Sequence, residues 1–255
     1  MVMNLELKNF GVVILAAGHG KRLNCEDLPK VLYKINERPI ISYVLAELEK
    51  GGVEKKQICL VVGFKAELVE KEIGPGYIYA LQTERSGTAH AALTGAEALP
   101  AEFDNFLVLN GDDSAFYKFN SLADLIEFHL ANENNISILT CEPEDPRGLG
   151  LVVRGDEGQV VKVVEKENMT PELDKIKEIN TGTFCFRKDW FLNHYPNLKP
   201  YNSSKGEYGL PSFIEEALTS GSRLGAVRLE NSNQWFGVNT PEQLVEADRR
   251  KRASI

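Results

Sequence analysis

Residues 11–15, Gly-Val-Val-Ile-Leu, form an apolar run that passes straight into Ala16–Ala17–Gly18–His19–Gly20. A strand with no polar face must be covered on both sides, and chains do this by laying helices against a parallel sheet. The pattern then recurs. Residues 40–50 place Ile40, Ile41, Val44, Leu45 and Leu48 at helical spacing before Gly51–Gly52, and 58–62 is a second apolar strand. Residues 65–73 are amphipathic, 78–82 read as a short strand, 89–99 as an alanine-rich helix, and 106–109 as a fourth strand ending in Asn110–Gly111–Asp112–Asp113. Strand and helix alternating through short connections predict a right-handed, parallel α/β sheet.

The second half is less regular. Helices are expected at 121–131 and 213–219, and strands at 136–140, 183–186 and 224–229. Residues 152–154 and 160–164 flank Gly155–Asp156–Glu157–Gly158, a hairpin signature. Thr240 followed by Pro241 opens a last helix over 241–250. Its Arg249–Arg250–Lys251–Arg252 run reads as a solvated helix end that complements the dipole. With no composition shift to mark a boundary, the 255 residues are expected to form one domain.

The formal net charge of −8 argues against a general nucleic-acid or membrane-surface binder. No apolar stretch has the length of a membrane span, and the amino end lacks a secretory pattern. The four cysteines contain no CxxC pair, which disfavours a zinc ribbon or a disulfide framework and suits a reducing, cytoplasmic setting. The four histidines, at 19, 90, 129 and 194, share no spacing that marks a nucleophile with its base.

The turn after the first strand carries the chemistry. Small residues let backbone N–H groups approach phosphate, and Lys21, Arg22 and then Lys30 supply cations. The dinucleotide fingerprint would need glycine where Leu23 stands. A Walker loop would need glycine at Leu15 and a hydroxyl residue at Arg22, so both fail. The plain alternative is a tight strand-to-helix turn with a solvated lysine nearby. Its place at the carboxyl end of a sheet strand favours a ligand site.

Leu15-Ala-Ala-Gly-His-Gly-Lys-Arg-Leu23 followed by Leu28-Pro-Lys-Val-Leu32 resembles the signature of the sugar-1-phosphate nucleotidylyltransferases, above all the N-acetylglucosamine-1-phosphate uridylyltransferases. Further landmarks follow in order: Gln82 with Ser86–Gly87–Thr88–Ala89–His90–Ala91, Asn110–Gly111–Asp112, Gly148–Leu149–Gly150, Val164–Glu165, Asn180–Thr181–Gly182, Gly206–Glu207–Tyr208 and Gly237–Val238–Asn239. The resemblance implies a Rossmann-like, mixed but mostly parallel twisted sheet flanked by helices, with a hairpin-containing sugar lobe. Residues of about 8–115 would then form the nucleotide half and about 116–255 the sugar half.

The implied substrates are UTP and N-acetylglucosamine 1-phosphate, with Mg2+ as cofactor. Leu15, Ala16, Ala17, Gly18 and Gly20 would hold the nucleotide, and Arg22 and Lys30 would neutralise the reacting phosphates. Gln82, whose amide both donates and accepts, would read the base, with Gly87 and Thr88 completing its pocket. Asp112 and Asn239 would ligate magnesium. Gly150, Glu165 and Asn180 would meet the sugar. Taken alone, Gln82 reads as a polar residue at a strand end and Asp112 as a turn cap.

Three departures bear on the acceptor sugar. Asp113 places a second acid beside Asp112, either to join the metal or to cap the next segment. Tyr208–Gly209–Leu210–Pro211–Ser212 lacks the acid that the acetylglucosamine enzymes carry there, and Glu165–Lys166 resembles the glucose-1-phosphate enzymes. UDP- or dTDP-glucose synthesis is therefore the alternative within this chemistry, and a non-catalytic nucleotide-sugar sensor the alternative outside it. A hexapeptide repeat, the mark of the acetyltransferase in the bifunctional relatives, does not occur in this sequence, so acetyl transfer is not expected of it.

Overall fold

Strand β1 (Phe10–Ala16) is buried along its whole length, as its unbroken apolar run requires. The computed structural model describes residues 7–20, 23, 27–84, 86–164, 170, 173, 175–200 and 207–253. After β1 come a two-residue pair, β2 (Lys34–Ile35) and β3 (Arg38–Pro39), then α1 (Ile40–Lys50), β4 (Ile58–Val62), α2 (Ala66–Ile73), β5 (Ile78–Leu81) and α3 (Thr88–Ala98). The chain continues through β6 (Asn105–Asn110), α4 (Phe119–Ala131), β7 (Ile136–Cys141), β8 (Leu151–Arg154), β9 (Val160–Val164) and β10 (Ile179–Arg187). It ends with α5 (Lys188–His194), α6 (Ser212–Ser220), β11 (Leu224–Arg228) and α7 (Pro241–Ala253).

The main sheet has the order β11-β7-β10-β6-β1-β4-β5, and the β8–β9 hairpin joins it at the start of β10. Strand β1 lies parallel to β4 and β6, β5 parallel to β4, and β11 parallel to β7. Strand β10 runs against both β6 and β7, so the sheet is mixed but mostly parallel.

Alternation along the strands divides the core between the two faces. Val12, Ile14, Ile58, Leu60, Leu107 and Leu109 join the cluster that holds the apolar sides of α1 and α4. Val13, Leu15, Cys59, Val61, Phe106 and Val108 join the cluster of α3, α5 and α6. Helix α3 lies so close to the sheet that a Cβ at Gly95 would stand 2.4 Å from Val13 Cγ1. On the same face Phe191 stacks on Phe213 with centroids 4.5 Å apart and meets Phe106 edge-on at 5.1 Å.

Helix α7 starts as its sequence predicts. Thr240 Oγ1 accepts from Gln243 N at 3.3 Å, and Gln243 Oε1 accepts from Thr240 N at 3.2 Å and from Asn239 N at 2.7 Å, a reciprocal cap. Its basic end corrects the expectation of a solvated run. Arg249 and Arg252 pair along the surface, but Lys251 Nζ donates to Ala115 O at 2.7 Å between the rings of Tyr43 and Phe116. Burial first, and then the charge of Lys118, lowers its pKa to about 8. Among the described residues no helix is long and apolar enough to cross a membrane.

Candidate active site

The carboxyl ends of β1 and β6 are neighbours, and the parallel ladder between them extends one residue past β6. Gly111 N donates to Leu15 O at 3.0 Å, and a Cβ on Gly111 would meet Val31 Cγ1 at 2.9 Å. Asp112 therefore stands just beyond the carboxyl end of an interior strand. Lys30, at the head of a short 3-10 turn, reaches it from the first half of the chain, and Asn239 reaches it from just before α7. Lys30 Nζ forms an ion pair with Asp112 Oδ2 and donates to Asn239 Oδ1 at 2.8 Å. Three segments far apart in sequence thus meet at one ammonium group.

A carboxylate oxygen and an amide oxygen aimed at one cation form a hard donor pair. Such a pair fits magnesium, whose other positions go to phosphate oxygens and water. No cluster of three or more His, Cys, Asp or Glu suited to a metal occurs among the described residues. The adjacent Asp113 accepts from Asn110 Nδ2 at 3.1 Å through Oδ2, while Oδ1 is enclosed without a partner among the described residues. Burial, and then the charge of Asp112, drives its pKa well up, against the pull of Asn110 and Lys30.

Gly20 backs onto the same lysine. It has φ +66°, and a Cβ there would lie 3.2 Å from Lys30 Cβ, so the glycine turn and Lys30 pack as one unit. Ala17 stands against Gly63, at the end of β4, where a Cβ would come within 2.9 Å. Leu15 and Ala16 are the last residues of β1. Among the described residues no atom lies within 4 Å of where a Cβ on Gly18 would stand. The expected roles of Arg22 and Glu165 fall outside the described residues.

Gln82 follows β5, where its backbone N donates to Val62 O at 2.8 Å. Its amide nitrogen lies 3.3 Å from Gly87 O and 3.1 Å from His90 Nδ1. The turn before α3 is clasped by the 208–210 segment. Tyr208 N donates to Ser86 O at 2.8 Å, Ala89 N to Tyr208 O at 2.9 Å, and Leu210 N to Thr88 Oγ1 at 3.0 Å. Gly87 sits at φ +102°, and a Cβ on it would fall 2.2 Å from Tyr208 O. Gly87→Ala is therefore expected to open this clasp and to weaken nucleotide binding about tenfold or more, as measured by titration calorimetry. Unchanged affinity in the folded variant would detach the clasp from the nucleotide.

Beyond Asn239 lies a cleft of about 1000 Å³, lined among others by Thr88, Asp113, Gly150, Asn180, Trp235 and Asn239. Asn180 N donates to Gly150 O at 2.9 Å, which seats these two candidate sugar residues side by side across the β8–β10 seam. Asn180 Oδ1 accepts from Gly182 N at 3.0 Å, and Trp235 Nε1 donates to Thr181 O at 3.1 Å. The sequence reading missed Trp235 and Phe236, although both directly precede the Gly237–Val238–Asn239 landmark. His129 plays no part here. It is buried between Ser137 and Asn105, and burial followed by the charge of Arg187 lowers its pKa to about 4.

A family model described as nucleotidyl transferase matches residues 11–254. The "Bifunctional protein GlmU" of Pelotomaculum thermopropionicum is 36% identical over 247 residues, which cover 97% of this chain and 53% of that protein. The protein of the same name from Clostridium novyi is 37% identical over 244 residues, 95% of this chain and 52% of the relative. The chain thus spans about half the length of these curated relatives. Among solved structures, a putative glucose-1-phosphate thymidylyltransferase from Bacillus anthracis superposes with a TM-score of 0.78 at 21% identity, covering 95% of each chain. The inositol-1-phosphate CTP transferase from T. maritima gives 0.72 at 20% identity, covering 97% of each. At these identities the likeness is one of fold.

Proposed function

The chain belongs to the nucleotidyl transferase family, and from that premise we propose that it joins UTP to N-acetylglucosamine 1-phosphate, giving UDP-N-acetylglucosamine and pyrophosphate. The observation that carries the reading is the meeting of Lys30 and Asp112 with Asn239, which lines a cleft together with Gly150 and Asn180. An oxygen of the sugar phosphate attacks the α-phosphorus of UTP, and the bond to the bridging oxygen of the β-phosphate breaks as pyrophosphate leaves. The attacking oxygen is already anionic, so no general base is required. The barrier comes from bringing two anions together, and positioning with charge neutralisation lowers it.

Lys30 serves as a movable point charge between the two phosphates. Asp112 and Asn239 would hold magnesium, which supplies further positive charge at the reacting phosphates when bound. Leu15, Ala16, Ala17, Gly18 and Gly20 present backbone to the nucleotide, Arg22 meets the departing pyrophosphate, and Gln82, Gly87 and Thr88 form the base side. Gly150, Glu165 and Asn180 receive the sugar. In this reading residues of about 8–115 serve as the nucleotide half and about 116–255 as the sugar half, with Asn239 of the second reaching Lys30 of the first. Cys59, Cys141 and Cys185 are buried and free, which supports a cytoplasmic setting.

The test is pyrophosphate release with magnesium, each nucleoside triphosphate in turn and a panel of sugar 1-phosphates. UTP with N-acetylglucosamine 1-phosphate is expected to give the highest kcat/KM. Preference for glucose 1-phosphate would move the assignment to glucose nucleotide synthesis. Binding of UTP without turnover of any pair would leave a nucleotide-sugar sensor.

A further inference from the structure

The structure sorts the two ends of the Gln82 amide. Gly87 O, 3.3 Å from Nε2, is a carbonyl and can only accept, so the end that faces it must be the NH2 group. The same nitrogen lies 3.1 Å from His90 Nδ1, which must then accept the second N–H and leave the imidazole proton on Nε2. Both donors of the amide are thereby used inside the protein. Oε1 is the amide atom without a partner among the described residues, and Gln82 is otherwise 9% exposed.

We propose that His90 is a positioning residue that locks Gln82 with its oxygen outward, so that the base site selects a nucleobase presenting a ring N–H. Uracil and thymine offer a hydrogen at N3 to that oxygen. Cytosine offers a lone pair at N3, which the oxygen repels, so the lock works by excluding the wrong base as well as by binding the right one. His90 is the third residue of α3, and the helix holds its ring against the amide. The bond to Gly87 O alone is long and leaves the amide freer to turn. The lone pair of Nδ1 supplies a second acceptor that a turned amide would oppose with its own oxygen. This inference rests on the assignment of Gln82 to the base, and it alters the sequence expectation that the amide would both donate to and accept from uracil.

The experiment is calorimetric titration of UTP and CTP, with magnesium, into the protein and its His90→Phe and His90→Asn variants. His90→Phe keeps a ring but removes the acceptor, and the preference for UTP over CTP is expected to fall about tenfold. His90→Asn places an amide oxygen near the position of Nδ1, and the preference is expected to return to within about threefold of the original. In turnover, the loss in His90→Phe falls on KM for UTP and not on kcat. A folded His90→Phe variant with undiminished preference overturns the proposal, as does unmodified protein that binds CTP as tightly as UTP. Imidazole nitrogen NMR of the unmodified protein gives a reading that needs no variant: a proton on Nε2 of His90 supports the lock, and a proton on Nδ1 overturns it. Because these are binding and tautomer measurements, absence of turnover with every sugar phosphate would overturn the enzymatic reading and leave this one standing.

Discussion

Asp112→Ala is expected to lower magnesium-supported turnover by about 10³-fold, the upper end for losing one preorganised electrostatic partner in a site of this kind. The fold should survive. The Asp112 side chain lies beyond the carboxyl end of β6, a quarter exposed, and its ion-pair partner Lys30 keeps the bond to Asn239 Oδ1 at 2.8 Å. Main-chain bonds beside it, such as Gly111 N to Leu15 O, do not involve the carboxylate. Circular dichroism and Tm should therefore change little, while Mn2+ binding followed by electron paramagnetic resonance in the presence of UTP should weaken sharply. A variant that kept a near-normal rate would remove Asp112 from the metal and return it to the role of a turn residue.

The parts of this arrangement that the sequence discloses are those written in short apolar runs. Strands β1, β4 and β6 have no polar face, so their burial and the helices over them follow directly. The direction of β10 does not follow, because an apolar run looks the same read either way and the reversal is decided by its pairing with β6 and β7. The β2–β3 pair escapes notice for a different reason. Its turn places Asn36 and Glu37 at φ +46° and +64°, without the glycine that usually marks such a turn. Helix α5 has seven residues and follows β10 without a loop, too short for a period to show.

The candidate site divides along the same line. Glycines in turns and acids after strands are visible because a backbone requirement fixes the residue type. Which partner a flexible side chain takes is not visible. Gln82 reads from the sequence as donor and acceptor to a base, whereas its amide nitrogen lies 3.3 Å from Gly87 O and 3.1 Å from His90 Nδ1. Lys251 reads as one of a solvated run until Tyr43 and Phe116 arrive from distant segments.

Arg154→Met is expected to cost about 3 kcal/mol of stability, in the range for breaking a buried ion pair and leaving one charge behind. At about 2–4 °C per kcal/mol for a chain of this size, Tm should fall by about 6–12 °C. Glu178, 7% exposed, accepts from Arg154 Nε at 2.8 Å and Nη2 at 2.6 Å, and from Thr140 Oγ1 at 2.5 Å. Burial alone would raise its pKa, but these bonds and the charges of Arg154 and Arg228 outweigh burial and hold the pKa below its usual 4.5. A carboxyl with a lowered folded-state pKa contributes stability that is fully present above the unfolded value and is lost as pH falls through the folded one. In the variant the two bonds and the charge of Arg154 are gone, while the Thr140 bond, the Arg228 charge and burial remain. The charged form of Glu178 thus loses most of its support, and its protonation as pH falls removes the charge that Arg154 compensates. The difference in Tm should therefore be greatest near neutrality and close below about pH 4.5. The cost also reaches the cleft, since Val152 N donates to Glu178 O on the same seam where Asn180 N donates to Gly150 O, each at 2.9 Å. KM for the sugar phosphate should rise while UTP affinity holds. A difference in Tm that persisted unchanged to pH 4 would show that Arg154 acts through its packing and its bond to Gly158 O, with the Glu178 charge playing no part.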